Sequence, residues 1–253
     1  MQMTNNTILI TGGGSGIGRA LAEAFHALGN KVIIAGRREA LLNEVTTANQ
    51  GMAPAVLDIE NASAIKNFAA DIKSKYPALN VLIHNAGIMR GENVKEAKLD
   101  DAEATIATNL LGPIRLNAAL LPHLLGQQHA TIMTVSSGLA FLPLAMTPTY
   151  CATKAAIHSY SQTLRYQLTD TNIQVLELVP PWVQTELMGL GQATEPRAMP
   201  LKDFINEVME ILKSKPHATE ICVERVDFLR NAEARGGFEA TFNHFNDAMS
   251  GGH

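Results

Sequence analysis

The sequence predicts one α/β domain spanning residues 1–253, built as a doubly wound, seven-stranded parallel sheet with helices on both faces. Seven short runs rich in apolar and β-branched residues alternate with stretches of helical periodicity. The runs are apolar almost throughout, which is typical of parallel strands buried on both faces. The length of 253 residues also fits a single large domain.

The predicted elements alternate along the chain. Strands are expected at residues 7–11, 31–35, 54–57, 81–84, 131–135, 174–179 and 221–223. Helices are expected around residues 16–28, 38–48, 62–75, 101–125, 149–169 and 202–214. Because sheets of this kind bind ligands beyond the carboxyl ends of their strands, polar residues at those ends are candidates for a site.

Two segments depart from this alternation. Residues 180–200 combine weak periodicity with several prolines, and we expect a functional loop there that contacts the substrate. The tail after Gly236 contains Phe238, Phe242 and Phe245, which we expect to cover a core or a subunit contact. The last three residues, 251–253, are expected to fray.

Composition excludes several classes of function. A net charge of −4 gives no electrostatic basis for binding nucleic acid or an anionic membrane. We expect no secretory signal at residues 1–6, and the apolar runs fall short of the ~20 residues of a membrane span. Cys151 and Cys222 lie far apart and predict buried free thiols, and the histidine spacing predicts no metal site. We therefore expect a cytoplasmic protein.

A glycine-rich turn follows the first predicted strand. Glycine permits positive φ and lets backbone N–H groups approach a phosphate, which a helix N-terminus then stabilises. Arg19 and Ala20 after Gly18 exclude a Walker loop, and the pattern Gly-x-Gly-x-x-Gly also fails. The turn fits Gly-x3-Gly-x-Gly. We therefore predict a site for a cofactor phosphate, in preference to the alternative of a strand-to-helix turn that binds no ligand. The candidate residues are Gly12, Gly14, Ser15, Gly16, Ile17 and Gly18.

A tyrosine and a lysine four residues apart are the main candidates for chemistry. Tyr150 and Lys154 lie on one face of the predicted helix 149–169. Since a neighbouring ammonium favours phenolate, we expect Lys154 to lower the tyrosine pKa from ~10 towards neutrality, which suits proton transfer. Ser137, at the carboxyl end of the fifth strand, could hold a substrate oxygen, and Ser136 is the alternative to it.

With Asn85-Ala86-Gly87 after the fourth strand and Asn109, these motifs resemble the short-chain dehydrogenase/reductase family over nearly the whole chain. The resemblance implies a Rossmann fold and hydride transfer between a nicotinamide cofactor and a ketone, an aldehyde or a secondary alcohol. It selects Ser137 over Ser136, because the family spacing to the tyrosine is thirteen residues. The catalytic residues that it implies are Asn109, Ser137, Tyr150 and Lys154.

The resemblance assigns further roles. Lys154 would also hydrogen-bond the nicotinamide ribose, and Asn109 would anchor a water that relays protons to the lysine. The alternative for Asn109 is a surface position on its helix. The helices that carry Asn109 and Tyr150 would join subunits in a homo-oligomer, a tetramer or a dimer. Cys151 is expected to serve in packing rather than as a nucleophile.

The end of the second strand bears on the choice of cofactor. Gly36 stands where NAD enzymes of this build commonly carry an acidic residue, and Arg37 and Arg38 follow it. A guanidinium group suits a 2′-phosphate, so NADP(H) is favoured. NAD(H) stays possible, because the two arginines could instead be solvated or stack on adenine.

Other cofactor contacts come from the resemblance alone. Asp58 resembles the aspartate that receives the adenine amino group, although it could instead cap the helix beginning near Asn61. The remaining residues expected at the cofactor are Asn85, Ala86, Gly87, Pro180, Val183 and Thr185. Pro181 replaces the glycine usual in the family, so the local backbone is expected to differ. The string 180–185 resembles a bacterial subgroup named after a D-alanylation-operon oxidoreductase.

The predicted substrate pocket is apolar. Besides Ser137 and Tyr150, its candidate residues are Leu139, Phe141, Met146, Trp182, Leu187 and Met188. They favour an apolar ketone or alcohol as the small-molecule substrate. Two other functions stay open: an NAD(H)-dependent dehydrogenase of the same family, and a cofactor-sensing binding protein. Because all four catalytic residues are present, the sequence favours an enzyme.

Overall fold

Seven parallel strands form the centre of the molecule. A computed structural model describes residues 1–250, in which the strands pair in the order β3-β2-β1-β4-β5-β6-β7. The strands are β1 (Thr7–Thr11), β2 (Lys31–Gly36), β3 (Ala53–Val56), β4 (Leu79–His84), β5 (Ala130–Val135), β6 (Ile173–Val179) and β7 (Glu220–Cys222). The predicted fold class is confirmed, and each predicted strand is present with small shifts at its ends.

Helices cover both faces of the sheet. They are α1 (Gly16–Ala27), α2 (Glu39–Ala48), α3 (Ala62–Lys75), α4 (Asp100–Ile106), α5 (Gly112–Leu125), α6 (Pro148–Gln167), α7 (Leu201–Ser214), α8 (Asp227–Arg230) and α9 (Phe238–Ser250). The single helix predicted at 101–125 is instead α4 and α5 joined by a π-helical segment, Ala107–Leu111. Within residues 1–250, each helix is too short or too polar to cross a membrane.

The alternation of side chains along each strand explains why the strands are apolar throughout. In β1, Ile8 and Ile10 join a buried cluster that includes residues of α1 and α7, whereas Leu9 joins a second cluster with residues of α3 and α5. Ile34 and Ile33 of β2 divide between the clusters in the same way. Two separate cores therefore hold the central strands, and their carboxyl ends are fixed in position.

The sheet changes its direction of growth beside β1. From β1 the chain adds β2 and β3 on one side, and β4 then pairs with β1 on the other side. Open sheets of this type have a crevice at such a switch point, beyond the carboxyl ends of the two strands. Thr11 ends β1 and His84 ends β4. The glycine turn and Asn85 therefore emerge next to each other.

The loop at 180–200 and the tail have more regular structure than the sequence suggests. The loop contains a bridge between Val183 and Met199 and a 3₁₀ turn, Leu190–Thr194. The tail forms α9, from which Phe242 and Phe245 pack against the core. The expectation that the aromatic residues of the tail cover a core is confirmed for Phe242 and Phe245, whereas Phe238 is exposed. The expectation of fraying at 251–253 falls outside the described residues.

Candidate active site

The glycine turn is shaped by the residue that follows β4. Gly12 and Gly16 have positive φ, +68° and +52°. A Cβ at Gly12 would lie 2.8 Å from Asn85 Nδ2, and a Cβ at Gly18 would lie 2.3 Å from the same atom. A Cβ at Gly14 would meet side chains only at ordinary contact distances, from 3.4 Å. Gly12 and Gly18 are therefore required by the approach of Asn85, in addition to any role at a phosphate.

A hydrogen-bonded clamp joins the ends of β1 and β4. Asn85 Nδ2 donates to the carbonyl oxygens of Thr11 at 3.1 Å and Gly12 at 3.3 Å. The Thr11 hydroxyl oxygen accepts from the backbone N–H groups of Asn85 and Ala86, both at 3.1 Å. The predicted Asn85 and Ala86 thus lie beside the glycine turn. Thr11 was not predicted as a site residue, although it ends β1 directly before the glycine turn.

The start of α1 has the features of an anion site. A helix N-terminus carries unpaired N–H groups and a partial positive charge. The first turn of α1 is free of acidic residues, and Arg38 Nη2 donates to the Ser15 hydroxyl at 2.9 Å. Thr185 also lies here, because a Cβ at Gly16 would be 3.5 Å from its side chain. A dinucleotide phosphate fits this place, because the glycines leave room for it and the helix N-terminus and the Arg38 guanidinium group attract an anion.

Arg37 and Asp58 lie on the outer side of this turn. Arg37 Nη1 pairs with Glu60 Oε1 at 2.9 Å, and both groups are partly exposed. Asp58 is exposed, and its Oδ1 accepts from the backbone N–H of Glu60 at 3.2 Å. Asn61 caps α3, since its Oδ1 accepts from Ser63 N and Ala64 N. The alternative of Asp58 as the cap of that helix is therefore wrong, and its carboxylate faces outward.

Tyr150 and Ser137 face each other in the interior. Tyr150, on α6, is 6% exposed, and Ser137 follows the end of β5. The Ser137 hydroxyl oxygen accepts from Leu139 N at 3.1 Å, which fixes the side chain at the start of a 3₁₀ turn. Burial raises the pKa of Tyr150, and the Ser137 hydroxyl lowers the same pKa by a smaller amount. The phenol is therefore protonated near neutral pH.

Lys154 does not act on Tyr150 as predicted. Among the described groups, Lys154 Nζ donates to the Val135 carbonyl oxygen at 2.7 Å and lies 5.5 Å from the centre of the Tyr150 ring. Burial lowers the pKa of Lys154 to about 8. The prediction that Lys154 brings the pKa of Tyr150 below ~10 is wrong for this geometry, because removal of water from the phenolate outweighs any gain from the amine.

Asn109 connects the region after β4 with α6. Its Nδ2 donates to the Ile88 carbonyl oxygen at 2.9 Å and to Thr153 Oγ1 at 3.2 Å, and its Oδ1 accepts from Ile88 N at 2.9 Å. Asn109 is 2% exposed, so the alternative of a surface position is wrong. A Cβ at Gly87 would lie 3.3 Å from Asn109 Oδ1 and 3.8 Å from Lys154 Nζ. Gly87, Asn109 and Lys154 therefore border one small space.

The loop at 180–200 meets both ends of the candidate site. The Pro180 carbonyl oxygen accepts from Gly138 N at 2.9 Å, next to Ser137. Val183 is buried through its bridge with Met199. Gln192 Nε2 donates to Thr185 Oγ1 at 3.0 Å, which holds Thr185 beside the glycine turn. The predicted loop residues thus run from the serine end of the site to the phosphate end.

An apolar cluster packs around Tyr150. Its members are Met89, Leu139, Leu144, Tyr150, Cys151, Phe245 and Met249. Helix α9 is held there by Asn246, whose Oδ1 accepts from Ala145 N at 2.6 Å and whose Nδ2 donates to the Pro143 carbonyl oxygen at 3.1 Å. Leu139 is the predicted pocket residue that joins this cluster. Met89, Phe245 and Met249 were not predicted near Tyr150, although the four-residue spacing of Phe245 and Met249 indicates one helix face.

The other predicted pocket residues lie elsewhere. Phe141 packs on the core, edge-on against His158 with 4.6 Å between ring centres, and Arg230 stacks on it at 4.3 Å. These neighbours hold one side of Phe141 against the core, and its contact with a substrate stays a prediction. Arg197 stacks on Trp182 at 5.2 Å. Met146, Leu187 and Met188 are each at least 40% exposed, and their contact with a substrate stays a prediction.

A buried thiol and a cluster of one histidine and two acids are of the types that form nucleophiles and metal sites. Cys151 Sγ accepts from Leu144 N at 3.2 Å, and burial raises the pKa of this thiol, which fits the expected packing role. In residues 1–250, His158, Glu177 and Glu220 have potential metal-binding atoms within 4.8 Å of one another. Their oxygens are already bound by protein donors, Glu220 by Arg230 at 2.7 Å. This arrangement is that of an ion-pair network.

Known proteins resemble this chain in sequence and fold. A family model described as short chain dehydrogenase matches residues 6–195. The uncharacterized oxidoreductase DltE of Bacillus subtilis is 41% identical over 97% of this chain and 98% of its own length. The closed form of a serine dehydrogenase complexed with NADP+ is 28% identical, with a TM-score of 0.76 over 85% of this chain and 91% of that one. A protein from Burkholderia phymatum complexed with NAD shares the fold, with a TM-score of 0.81 and 21% identity over 92% and 95% of the two chains.

We predict that Gly18→Ala lowers the free energy of unfolding by about 1–3 kcal/mol, the usual cost of overpacking. The added Cβ would collide with Asn85 Nδ2 and the Gly12 carbonyl oxygen, each 2.3 Å away. Urea denaturation measures the change. Gly14→Ala is the matched control in the same turn, and we expect it to stay within about 0.5 kcal/mol of the wild type. Equal effects of the two substitutions would contradict the close approach of Asn85.

Proposed function

Because the chain belongs to the short-chain dehydrogenase/reductase family, we propose that it is an NADP(H)-dependent carbonyl reductase or secondary-alcohol dehydrogenase. Its broader class, an NAD(P)-dependent oxidoreductase, follows from the family. The observation that carries the finer proposal is the meeting of Ser137, Tyr150 and Lys154 at the carboxyl end of β5. The glycine turn lies along the same edge of the sheet.

We assign the cofactor to the crevice between the ends of β1 and β4. Its phosphates would lie on the glycine turn and the first turn of α1, and Arg38 would contact the adenosine end. Asn85, Ala86, Gly87 and Lys154 would border the ribose near the chemical centre. Pro180 and Val183 would border the nicotinamide end, and Thr185 would contact the cofactor beside Gly16. When bound, the nicotinamide supplies or accepts the hydride.

Tyr150 would move the proton. In carbonyl reduction its hydroxyl donates to the substrate oxygen, while Ser137 holds the same oxygen in place. The raised pKa of Tyr150 keeps the phenol protonated near neutral pH, which is the state that reduction requires. Alcohol oxidation requires the phenolate, which burial disfavours.

Lys154 and Asn109 would return a proton to Tyr150. With a pKa of about 8, Lys154 is mainly protonated at neutral pH and can still release a proton. Asn109 Oδ1 accepts from the backbone N–H of Ile88. Both Asn109 Oδ1 and Lys154 Nζ border the small space beside Gly87. This neighbourhood supports the water relay that the family resemblance implies.

The preference for NADP(H) rests on Arg38 more than on Arg37. Arg38 is bound to the Ser15 hydroxyl at the glycine turn, whereas Arg37 is already paired with Glu60. The serine dehydrogenase that is 28% identical is complexed with NADP+, which agrees with this choice. The alternative is NAD(H), because Asp58 and Glu60 also lie at the carboxyl edge of β3 and could receive ribose hydroxyls.

The substrate is proposed to be an apolar ketone. Met89, Leu139, Phe245 and Met249 surround Tyr150 with carbon and sulfur atoms. Such a wall favours burial of an alkyl or aryl group and offers little to a charged substrate. The second function considered, a cofactor-sensing binding protein, has less support because Asn109, Ser137, Tyr150 and Lys154 are all retained.

We also propose that the whole chain is one domain, located in the cytoplasm, and that it forms an oligomer through α5 and α6. The continuous sheet and the two free cysteines support the first two statements. Leu111 beside α5 and Tyr166 near the end of α6 are exposed, at 38% and 84%. Exposed apolar and aromatic residues on paired helices are typical of subunit contacts.

We predict that Tyr150→Phe lowers kcat for ketone reduction by about 10²–10⁴-fold, the usual contribution of a positioned acid. The substitution removes one oxygen atom and leaves the packed ring. Steady-state rates with NADPH and a panel of apolar ketones measure the loss. Tyr166→Phe, on the exposed side of the same helix, is the control and should keep full activity. Full turnover in Tyr150→Phe would show that another group donates the proton.

We predict that Arg38→Ala weakens NADPH binding by about 10-fold to 100-fold and leaves NADH binding nearly unchanged. A charge-assisted hydrogen bond of about 1.5–3 kcal/mol to a 2′-phosphate accounts for that range. Cofactor titrations by fluorescence give both dissociation constants. Lys75→Ala removes an exposed cation on α3 and controls for the change in net charge. A constant NADPH/NADH ratio in Arg38→Ala would refute the phosphate contact.

We predict that Phe245→Ala raises KM for an aryl ketone by about tenfold, the effect of about 1.4 kcal/mol of lost contact. KM for a small ketone such as acetone should change much less. Phe238→Ala, on the same helix and 37% exposed, is the control. If both substitutions act alike on the two substrates, α9 does not line the substrate site.

A further inference from the structure

A buried carboxylate lies next to the elements that carry the proposed catalytic residues, and the mechanism above does not use it. Glu177 is on β6, between β5 and β7, and its side chain is 0% exposed. An uncompensated charge in a protein interior costs several kcal/mol. The groups that compensate Glu177 therefore indicate what this carboxylate does.

Both oxygens of Glu177 are held by residues next to the catalytic ones. Ser136 Oγ donates to Oε1 at 2.5 Å, and His158 Nδ1 lies 2.8 Å from Oε2 and 3.0 Å from Oε1. Ser136 directly precedes Ser137, and His158 is one helical turn after Lys154 on α6. One carboxylate thus ties the end of β5 to the face of α6 that carries Tyr150 and Lys154.

Lys154 needs a counter-charge. It is 5% exposed, and its Nζ donates to a neutral acceptor, the Val135 carbonyl oxygen. Burial lowers the pKa of Lys154, and the negative charge of Glu177 acts in the opposite direction. Since Glu177 is the charged group that opposes burial, its carboxylate favours the ammonium form of Lys154.

The second acid of this cluster is compensated separately. Glu220 lies opposite Glu177 in the β6–β7 register and forms two hydrogen bonds with Arg230, at 2.7 and 3.1 Å. Arg230 therefore compensates Glu220, whereas the groups bound to the Glu177 carboxylate are Ser136 and His158, the latter one helical turn from Lys154. The titratable and charged groups that face this cluster are Tyr150, His158 and Arg165 from α6, Glu220 and Cys222 from β7, and Arg230 from α8.

We propose that Glu177 is a positioning residue of the active site, which supplies the counter-charge of Lys154 and anchors Ser136 and, through the backbone, Ser137. This inference rests on the proposed function, because it gives Glu177 a part in the proton transfer at Tyr150. A neutral side chain of the same shape at 177 would leave the Lys154 ammonium less stable, and the amine would lose its proton at lower pH.

The test is a titration of Lys154 in the full-length, cofactor-free protein. NMR spectra of protein carrying ¹³Cε-labelled lysine follow each amine with pH, and Lys154→Arg identifies the signal. In Glu177→Gln we expect the Lys154 midpoint to fall by about one pH unit or more, as for loss of a nearby opposite charge. Glu177→Asp keeps the charge at a greater distance and should give a smaller fall. It also carries the test if Glu177→Gln does not fold.

A matched control is Glu92→Gln. Glu92 also binds α6, through Thr149 at 2.7 Å, but it contacts neither Ser136 nor His158 among the residues described. Its substitution should leave the Lys154 midpoint unchanged. A Lys154 midpoint equal to that of the wild type in every folded Glu177 variant would overturn the inference.

Kinetics separate positioning from a general loss of structure and test the proposed function independently. In ketone reduction, the alkaline limb of the kcat profile should move to lower pH in Glu177→Gln, by the same amount as the Lys154 midpoint. A uniform fall in kcat with an unmoved limb would overturn the inference, since structural damage alone explains it. If the midpoint shifts but the wild type reduces no ketone, the counter-charge is supported and the proposed function fails.

Discussion

The close approach of Asn85 to the glycine turn is the contact on which the rest of the site depends. The Asn85 amide occupies the space that a side chain at Gly12 or Gly18 would need, and it bonds both Thr11 and Gly12. The same stretch of chain continues to Gly87, which borders Asn109 and Lys154. One set of hydrogen bonds at the switch point of the sheet therefore sets the distance between the phosphate end and the chemical end of the site. Local substitutions in this turn affect both ends at once.

Burial determines the protonation states of the two central groups. Removal of water favours the neutral phenol of Tyr150 and the neutral amine of Lys154, so it moves their pKa values in opposite directions. Each effect is opposed by a neighbour from another element: the Ser137 hydroxyl after β5 acts on Tyr150, and the Glu177 carboxylate on β6 acts on Lys154. The four-residue spacing on α6 brings Tyr150 and Lys154 together. Residues on or after the strands that α6 covers then shift the pKa values of the two side chains. The spacing on the helix alone predicts a lowered pKa for Tyr150, whereas burial raises it.

The parts of this structure that the sequence predicts are those decided by local pattern. Apolar runs predict the seven strands. The four-residue spacing places Tyr150 and Lys154 on one helix face, and Ser137 is predicted at the end of a strand. The parts that it does not predict depend on distant partners. Phe141 packs on the core, where His158 lies edge-on to its ring and Arg230 lies over it, and neither is close in sequence. Helix α9 reaches Tyr150 because Asn246 bonds a loop about a hundred residues earlier, which the spacing of Phe245 and Met249 alone could not indicate.

The separation of apolar and charged surroundings is itself an argument for carbonyl chemistry at Tyr150. During reduction the substrate oxygen gains negative charge, and a carboxylate in contact with it would oppose that change. The side chains packed around Tyr150 are instead uncharged, while the acid that acts on Lys154 is held by Ser136 and His158. In a dry, apolar site the hydrogen bonds from Ser137 and Tyr150 gain strength, because water does not compete for the same oxygen. In the proposed mechanism, Glu177 can therefore support a cationic Lys154 without repelling the oxygen to which Tyr150 would donate its proton.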